Sequence, residues 1–452
     1  MHYISLQPLN VNKSNPFDND IFSRKEFGVT LRDFVKSSPD NMVISLDAEW
    51  GEGKTTFVKM WQGLLQQSDI PSIYYDAFKN DIFDDAFASI IGTVVECSKK
   101  LPRTQTSEQR ITDFINNASI IATKLFHWSA KLTVKGATLN IIDDLGIETL
   151  DSIKKELSSG VSTAAEKHIF DHLISCSNES NMINAFKESL SELAIELCAT
   201  GRKPLVIIID ELDRCRPPHA VEVLEKIKHM FSVNGVVFVL AIHKPQLEEY
   251  VRHIYGQNVD AHKYLQKFID IELALPKNTK NIDDNDGSRY CRWLYMHHKL
   301  ERFGSKTDTL NTIIELASYY QLSLRQIEKC FTYLTLYFSC FDELERINEP
   351  LLAVIVVIRV NCPELFNQLS LNDIKYSEVH NKLPPENIDK DRNNHLKHIH
   401  LWLKCCLMKD AEYSLLQHDD DLYVIGQVLA NKTDIERSEF IPFLCKRLST
   451  FS

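Results

Sequence analysis

The sequence predicts an α/β protein whose parallel sheet is covered by helices on both faces and followed by an α-helical C-terminal region. Short, almost continuous apolar runs alternate with helix-patterned stretches, as expected for strands that are buried on both faces of a sheet. A glycine-rich loop joins the first of these runs to an amphipathic helix pattern. From Arg289 onwards the apolar positions recur almost entirely at helical spacing.

Four runs are predicted to be strands: Asn41–Asp47, Ile70–Phe78, Lys203–Asp213 and Asn234–His243. Helical patterning between the second and third runs predicts a long helical insertion at about residues 80–202. The polar stretch Thr279–Ser288 is typical of a boundary. We therefore expect an α/β domain over residues 1–280, a helical lid over 281–345 and a C-terminal helical domain over 346–452.

Composition restricts the class of protein. A chain of 452 residues suggests two or three domains. A net charge of −11 does not suit a general nucleic-acid coat, although a local basic groove stays open. The most apolar run, Leu351–Ile358, is too short to span a bilayer. The 11 scattered cysteines, without a C-x-x-C pair or a signal peptide, predict a cytoplasmic protein with free thiols.

The stretch "EWGEGKTTF" has the residues that a phosphate-binding loop needs. Gly51 and Gly53 permit positive φ and close approach of backbone N–H groups to phosphate oxygens. Lys54 is placed to reach the β- and γ-phosphates, and the Thr55 hydroxyl to bind Mg²⁺. Thr56 extends the helix N-terminus, whose dipole favours negative charge.

Ala48 departs from the full pattern, which has a glycine at that position. Alanine is tolerated there if φ is negative, and costs on the order of 1 kcal/mol if φ is positive. The alternative is a glycine loop that arose by chance. The strand before the loop, the helix after it and a later acidic strand favour a working site.

The acidic strand is "LVIIIDELDRC". Its apolar residues deliver Asp210 to the carboxyl end of a buried strand, where ligands bind in open α/β sheets. We expect Asp210 to hold Mg²⁺ opposite Thr55, and the next residue, Glu211, to polarise the attacking water. By itself, such a carboxylate pair also fits an acidic surface turn.

Two further polar residues have open alternatives. His243 ends the fourth predicted strand and either senses a γ-phosphate or caps the strand. Arg325 lies near the start of an amphipathic helix, outside its apolar stripe. It either reaches a bound triphosphate from the lid or is a solvated surface arginine.

The tetrapeptide "NKTD", Asn431–Asp434, matches a guanine-reading pattern. It lies far beyond the acidic strand in a helical region, and a D-x-x-G element is missing after that strand. We interpret it as a cap or a turn and predict ATP as the nucleotide, with GTP as the minor alternative.

Taken together, these stretches resemble the KAP family of P-loop NTPases, related to the STAND and AAA+ classes. The stretches that carry the resemblance are "DNDIFSRKEF", "EWGEGKTTF", "YDAFKND", "IIIDELDRCRPPHAVEVLEKIKHMF", "VVFVLAIHKPQLEEYV", "KYLQKFIDIELALP" and "LSLRQIEKC". The resemblance implies Walker A and Walker B motifs, with Trp50 and Glu52 joining the nucleotide-binding loop, and strengthens the assignment of Arg325 to the lid. This sequence departs from the family pattern at three positions. Ala48 replaces a glycine, Phe78 stands where tryptophan is usual, and His243 stands where aspartate is common.

The predicted function is an Mg²⁺-dependent ATPase, a hydrolase of acid anhydrides, that acts as a switch or motor for a protein partner, with assembly into a homo-oligomer as one route. The alternative is a nucleotide-sensing interaction module with little or no hydrolysis. A nucleic-acid translocase is disfavoured by the acidic charge. Bacterial relatives often belong to anti-phage systems, so the resemblance implies antiviral defence as a setting. Many relatives also carry transmembrane helices in the insertion, and no such span is expected in this chain.

Overall fold

The computed structural model describes most of the chain outside the predicted insertion. The described residues are 11–12, 14–38, 41–82, 86–98, 109–118, 120–121, 181–196, 203–279, 284–303, 307–341, 348–385, 394–418, 420–433 and 435–451. Much of the insertion predicted at about residues 80–202 lies outside these ranges, as does Asp434 of the "NKTD" stretch. Residues 109–118 and 181–196, which lie inside it, are helical.

A five-stranded parallel sheet forms the centre of the α/β domain and confirms the predicted fold class. The strands are β1 (Met42–Asp47), β2 (Ser72–Asp76), β3 (Leu205–Asp210), β4 (Val236–Ile242) and β5 (Ile271–Ala274). Their spatial order is β2-β3-β4-β1-β5, and every pairing is parallel. The pattern had indicated only four strands. β5 is a four-residue edge strand whose side chains alternate between partly buried and exposed, so it lacks the continuous apolar run of a central strand.

Helices cover both faces of this sheet because successive strand side chains point to opposite sides. In β3, Val206 and Ile208 join one apolar cluster, whereas Ile207 and Ile209 join another. The first cluster includes the helices Lys25–Ser37 and Lys54–Gln67. The second includes Ala86–Ser98, Pro217–Met230 and Lys244–Tyr255. Shorter helical segments of this domain are Ala77–Asn80, Leu212–Arg214 and Ala261–Leu265.

The remainder of the described chain is helical. Its helices are Asp286–His297, Leu300–Phe303, Thr307–Tyr319, Leu324–Cys340, Glu349–Asn361, Pro363–Ser370, Tyr376–His380, Asn394–Leu407, Asp410–Tyr413, Asp421–Lys432, Arg437–Glu439 and Phe440–Ser449. Within the described residues, no helix combines the length and the apolar character that a membrane crossing requires.

The predicted lid and the predicted C-terminal domain share one apolar core, which runs from Tyr290 to Leu448. Its most buried helix is Glu349–Asn361, in which every side chain from Leu351 to Ile358 is at most 2% exposed. A movement of the lid is therefore expected to carry the C-terminal helices with it. The division at residues 345 and 346 stays a prediction.

Candidate functional site

The glycine loop adopts the backbone that phosphate binding requires. Gly51 and Gly53 have φ of +84° and +83°, a region that L-residues enter only with strain. Gly53 is also the N-cap of the helix Lys54–Gln67, so the free N–H groups of that helix open onto the loop. Ala48 is not among the residues with positive φ. Alanine is therefore tolerated at the position where the full pattern has glycine.

Lys54 is folded back onto its own loop. Its ammonium donates to the carbonyl oxygens of Ala48 and Glu49, at 2.5 and 3.1 Å. Burial lowers the pKa of Lys54, and the nearby carboxylates, Asp213 and Asp210 first among them, oppose that shift. A bound phosphate would replace two neutral acceptors by charged ones, and charge-assisted hydrogen bonds are the stronger kind.

Thr55 faces the end of the acidic strand. Its hydroxyl donates to Oε1 of Glu211 at 3.2 Å and also lies close enough to Asp210 to lower the pKa of that carboxyl. From the other side, the Tyr74 hydroxyl donates to Oδ2 of Asp210 at 2.9 Å. The tertiary structure thus brings the two predicted metal-site residues, Thr55 and Asp210, into contact.

The carboxylates at this edge are poorly solvated. Asp210 is 1% exposed, and burial raises its pKa, although hydrogen bonds from Thr55, Tyr74 and the Glu211 amide counteract the effect. Burial also raises the pKa of Glu211, and the neighbouring Asp210 charge adds to that shift. Two carboxylates side by side with little water favour a cation between them and the loop.

Glu211 occupies a strained backbone conformation. Its φ of +63° and ψ of +20° lie in the left-handed region, which glutamate rarely enters. The turn places its side chain between Thr55 and Arg214, with which it forms an ion pair. Strain of this kind persists where the surrounding structure fixes it, often at functional sites.

Trp50, Asp213 and His243 form a cluster beside the loop. The Trp50 indole donates to Oδ2 of Asp213 at 2.5 Å, and its ring centroid lies 5.0 Å from that of His243. Asp213 is 2% exposed, and its other oxygen has no hydrogen-bond partner among the described residues. His243 is the N-cap residue of the helix Lys244–Tyr255, without a side-chain cap bond. Both interpretations of His243 stay open.

Glu52 and Thr56 were also predicted to bind nucleotide. The Glu52 side chain is buried and accepts from Lys277 at 2.9 Å, so only its backbone is available to a ligand on the loop side. Thr56 lies in the first turn of the loop helix and is partly buried. Both residues therefore belong to the loop and its helix.

The lid helix Leu324–Cys340 begins directly against the loop. A Cβ added to Gly51 would lie 3.1 Å from Cβ of Arg325 and 3.5 Å from Cβ of Ser323. Ser323 caps the helix in a reciprocal arrangement with Gln326. The Arg325 side chain is exposed and starts next to the loop, and its reach to a triphosphate stays a prediction.

Two site residues escaped the sequence interpretation. Tyr74 lies on β2 and donates a hydrogen bond to Asp210. In the sequence it stands in an apolar run, which is typical of a core residue. Arg24 ends the stretch "DNDIFSR" and donates to the Glu52 carbonyl inside the loop. That stretch was singled out for its resemblance, but nothing local assigned its arginine a role.

The residues present fit a magnesium site. A hydroxyl and a buried carboxylate, Thr55 and Asp210, offer hard oxygen ligands at the loop. Across the described ranges there is no group of three or more His, Cys, Asp or Glu residues that could hold a metal ion with protein ligands alone. Mg²⁺ is commonly held by one or two protein oxygens together with substrate phosphates and water.

Comparison with known proteins gives one family match. The profile of the KAP family P-loop domain matches residues 24–338. A search of curated proteins finds no match.

Similarity to solved structures is weak. The Aeropyrum pernix ORC2 protein in its ADPNP-ADP complexes is 12% identical, over 96% of this chain and 97% of that chain, with a TM-score of 0.34. Its ADP form is 10% identical, over 100% and 96%, with a TM-score of 0.35. A DNA replication initiation factor is 11% identical, over 94% and 92%, with a TM-score of 0.31. At such TM-scores these similarities carry no argument.

The contact between lid and loop predicts a specific effect of Gly51→Ala. The new methyl group would press on Arg325, so the start of the lid helix should exchange its amide hydrogens faster. Gly235→Ala is the matched control, because Gly235 has a φ of +82° but nothing within 4 Å of the added Cβ. Both variants should lose on the order of 1 kcal/mol to backbone strain. Equal exchange of the lid helix in the two variants would contradict the contact.

The buried carboxylates predict that Asp210→Asn stabilises the unliganded protein. A carboxyl whose pKa is raised on folding reduces stability as the pH rises through that pKa. At pH 8, in EDTA, the variant should melt at a higher temperature than the wild type, and its free energy of unfolding should be higher by on the order of 1 kcal/mol. The difference should shrink as the pH falls and Asp210 becomes protonated. Asp373→Asn, at an exposed position, is the control. A lower melting temperature for Asp210→Asn would refute this interpretation.

Proposed function

Because this chain belongs to the KAP family of P-loop NTPases, we propose that it is an Mg²⁺-dependent ATPase that uses its nucleotide state as a switch for a protein partner. One observation carries the proposal: the loop hydroxyl of Thr55 donates to Glu211 and lies beside Asp210, the two carboxylates at the end of the acidic strand β3. A metal ligand, a metal carboxylate and a candidate base thus meet within one hydrogen-bond network.

In the proposed reaction, Lys54 leaves the carbonyls of Ala48 and Glu49 and binds the β- and γ-phosphate oxygens. Bound Mg²⁺, held by Thr55 and Asp210, would neutralise charge on those oxygens. The backbone N–H groups of the loop add further donors without reorganising.

Hydrolysis needs a base for the attacking water. Glu211 accepts the proton of the water as its oxygen attacks the γ-phosphorus. The bond between that phosphorus and the bridging oxygen breaks, and its electron pair remains on ADP. Asp213 is less suited, since Glu211 directly follows the metal carboxylate Asp210, whereas Asp213 lies two residues further along the chain.

Arg325 has a proposed role at the γ-phosphate. Its backbone abuts Gly51, and its exposed side chain has the length to reach over the loop. A guanidinium is always charged and binds phosphate oxygens in a bidentate way. Contact with the γ-phosphate would draw the lid towards the loop, and the shared core would move the C-terminal helices with it.

A second function, a nucleotide sensor with little hydrolysis, is favoured by the ion pair between Glu211 and Arg214. A carboxylate held by a guanidinium is a weaker base than an unpaired one. Release of several phosphates per chain would support the ATPase. ATP that stays intact on the protein would support the sensor.

The biological setting is inferred from two sources. A homo-oligomer and a part in antiviral defence are proposed from family membership alone, and a cytoplasmic location is proposed from the scattered cysteines without a C-x-x-C pair. The adenine base is likewise proposed, because Asn431 of the "NKTD" stretch lies near the end of the helix Asp421–Lys432, in the C-terminal helical region.

The test of the proposal is nucleotide binding by the wild type and by Lys54→Ala. With Mg²⁺, ATP should raise the melting temperature of the wild type but not of the variant, because the lysine carries the main charge contact with the phosphates. GTP should compete more weakly than ATP for the labelled nucleotide. Absence of any shift in the wild type would reject the proposal, and equal competition by GTP would reject the adenine assignment.

Glu211→Gln should retain ATP binding and lose turnover by roughly 10²-fold, the usual scale for removal of a general base. Asp213→Asn is the matched control, because it removes a charge two residues away and should have the smaller effect. Phosphate release and ATP affinity measured side by side separate binding from chemistry. The assignment of the base would be reversed if Asp213→Asn were inactive and Glu211→Gln retained full turnover.

A further inference from the structure

Arg24 connects three segments that are distant in the sequence. Its guanidinium donates to the Glu52 carbonyl at 2.9 Å and to the Pro276 carbonyl at 3.0 Å. A third contact, of 3.4 Å, pairs it with Asp286. These partners lie in the phosphate loop, just beyond β5, and in the first turn of the helix Asp286–His297, the first lid helix. Arg24 is 4% exposed.

The contact with Glu52 fixes one peptide group of the loop. In a planar trans peptide, the C=O and N–H groups point in opposite directions. Because Arg24 draws the Glu52 carbonyl outwards, the N–H of Gly53 in the same peptide is turned the other way. Backbone N–H groups of this loop are the donors to phosphate. Gly53 also leaves room for the guanidinium, since an added Cβ would lie 3.3 Å from its Nη1.

The contact with Asp286 ties the same guanidinium to the lid. Asp286 is 2% exposed, and burial raises its pKa while Arg24 opposes that shift. Burial likewise lowers the pKa of Arg24, with Asp286 as the largest opposing charge. Removal of one partner would leave the other charge buried, so the two groups are expected to move together.

We propose that Arg24 is a positioning residue that couples the phosphate loop to the lid: it orients the Glu52–Gly53 peptide towards the phosphates and transmits changes of that peptide to Asp286. The coupling rests on the proposed nucleotide binding. It needs no contact between Arg24 and the nucleotide. A shift of the loop on phosphate binding changes the position of the guanidinium, and the lid follows through the ion pair.

The alternative is a buried ion pair that only holds the domains together. Stability alone does not distinguish the two, because loss of a buried partner is destabilising in either case. The distinguishing readout is the response of the lid to nucleotide, measured at a temperature where each variant is folded.

The experiment compares Arg24→Lys and Asp286→Asn with the control Arg252→Lys, an arginine of the helix Lys244–Tyr255 that pairs with Glu248 and Glu249. A lysine keeps the charge but cannot satisfy three separate acceptors in a fork-like geometry. Hydrogen exchange of the helices Asp286–His297 and Leu324–Cys340 is measured with ADP and with a non-hydrolysable ATP analogue. ATP affinity is measured in parallel.

The wild type and Arg252→Lys should show different lid exchange with the two nucleotides. Arg24→Lys should bind ATP roughly tenfold more weakly and lose that difference. Asp286→Asn should lose the difference while affinity changes less, because the hydrogen bond from Arg24 to the Glu52 carbonyl does not involve Asp286. A variant that melts earlier but keeps both wild-type affinity and the exchange difference would make Arg24 purely structural and overturn the proposal.

The wild type separates this inference from the proposed function. If it binds neither nucleotide, the proposed function itself fails. If it binds ATP but its lid exchanges identically with both nucleotides, ATP binding stands and the coupling is rejected.

Discussion

The parallel register of β1, β4 and β3 is the constraint on which the candidate site depends. Ala241 of β4 is level with Leu46 of β1 on one side and with Asp210 of β3 on the other. The glycine loop therefore starts at the same height at which the acidic strand ends. With one strand between them, the two ends lie about 10 Å apart, a gap that the first turn of the loop helix spans through Thr55. A slip of one residue would turn Asp210 to the opposite face of the sheet.

Electrostatics gives this geometry its chemical character. Buried carboxylates with raised pKa face a lysine whose pKa burial lowers, and the lysine is satisfied only by loop carbonyls. Each charge is thus in an environment that favours its neutral form. A ligand that brings phosphate oxygens and a divalent cation compensates both sets of charges at once. These buried charges lower the stability of the unliganded protein, as expected for a site in which stability is sacrificed for ligand binding.

The helical half of the molecule contacts the loop region at two places. The lid helix touches Gly51, the first lid helix is tied to Arg24, and both belong to the core that continues to Leu448. Packed cores move as units rather than deforming continuously. A small displacement at the loop has, therefore, a direct mechanical route through this core to the C-terminal helices.

The sequence by itself determined the local parts of this protein. The strand, glycine loop and helix around Lys54, the apolar strand before Asp210, and the helical patterning of the C-terminal half are all set by short-range periodicity and by the backbone freedom of glycine. The family resemblance rested on the same stretches. It covered the site loop and the acidic strand, and it placed Arg325 next to the nucleotide region.

Only the tertiary structure decided which distant residues meet. The contacts of Arg24 span 252 and 262 positions, and the hydrogen bond from Tyr74 to Asp210 spans 136. No local pattern encodes such pairings, because the sequence around an arginine in a turn or a tyrosine in a strand does not depend on whether the side chain faces a site. The edge strand β5 and the left-handed backbone of Glu211 were missed for a similar reason. Each is imposed by its neighbours in space: β1 supplies the hydrogen bonds of β5, and the packing of the acidic turn holds a glutamate where a free chain would rarely place one.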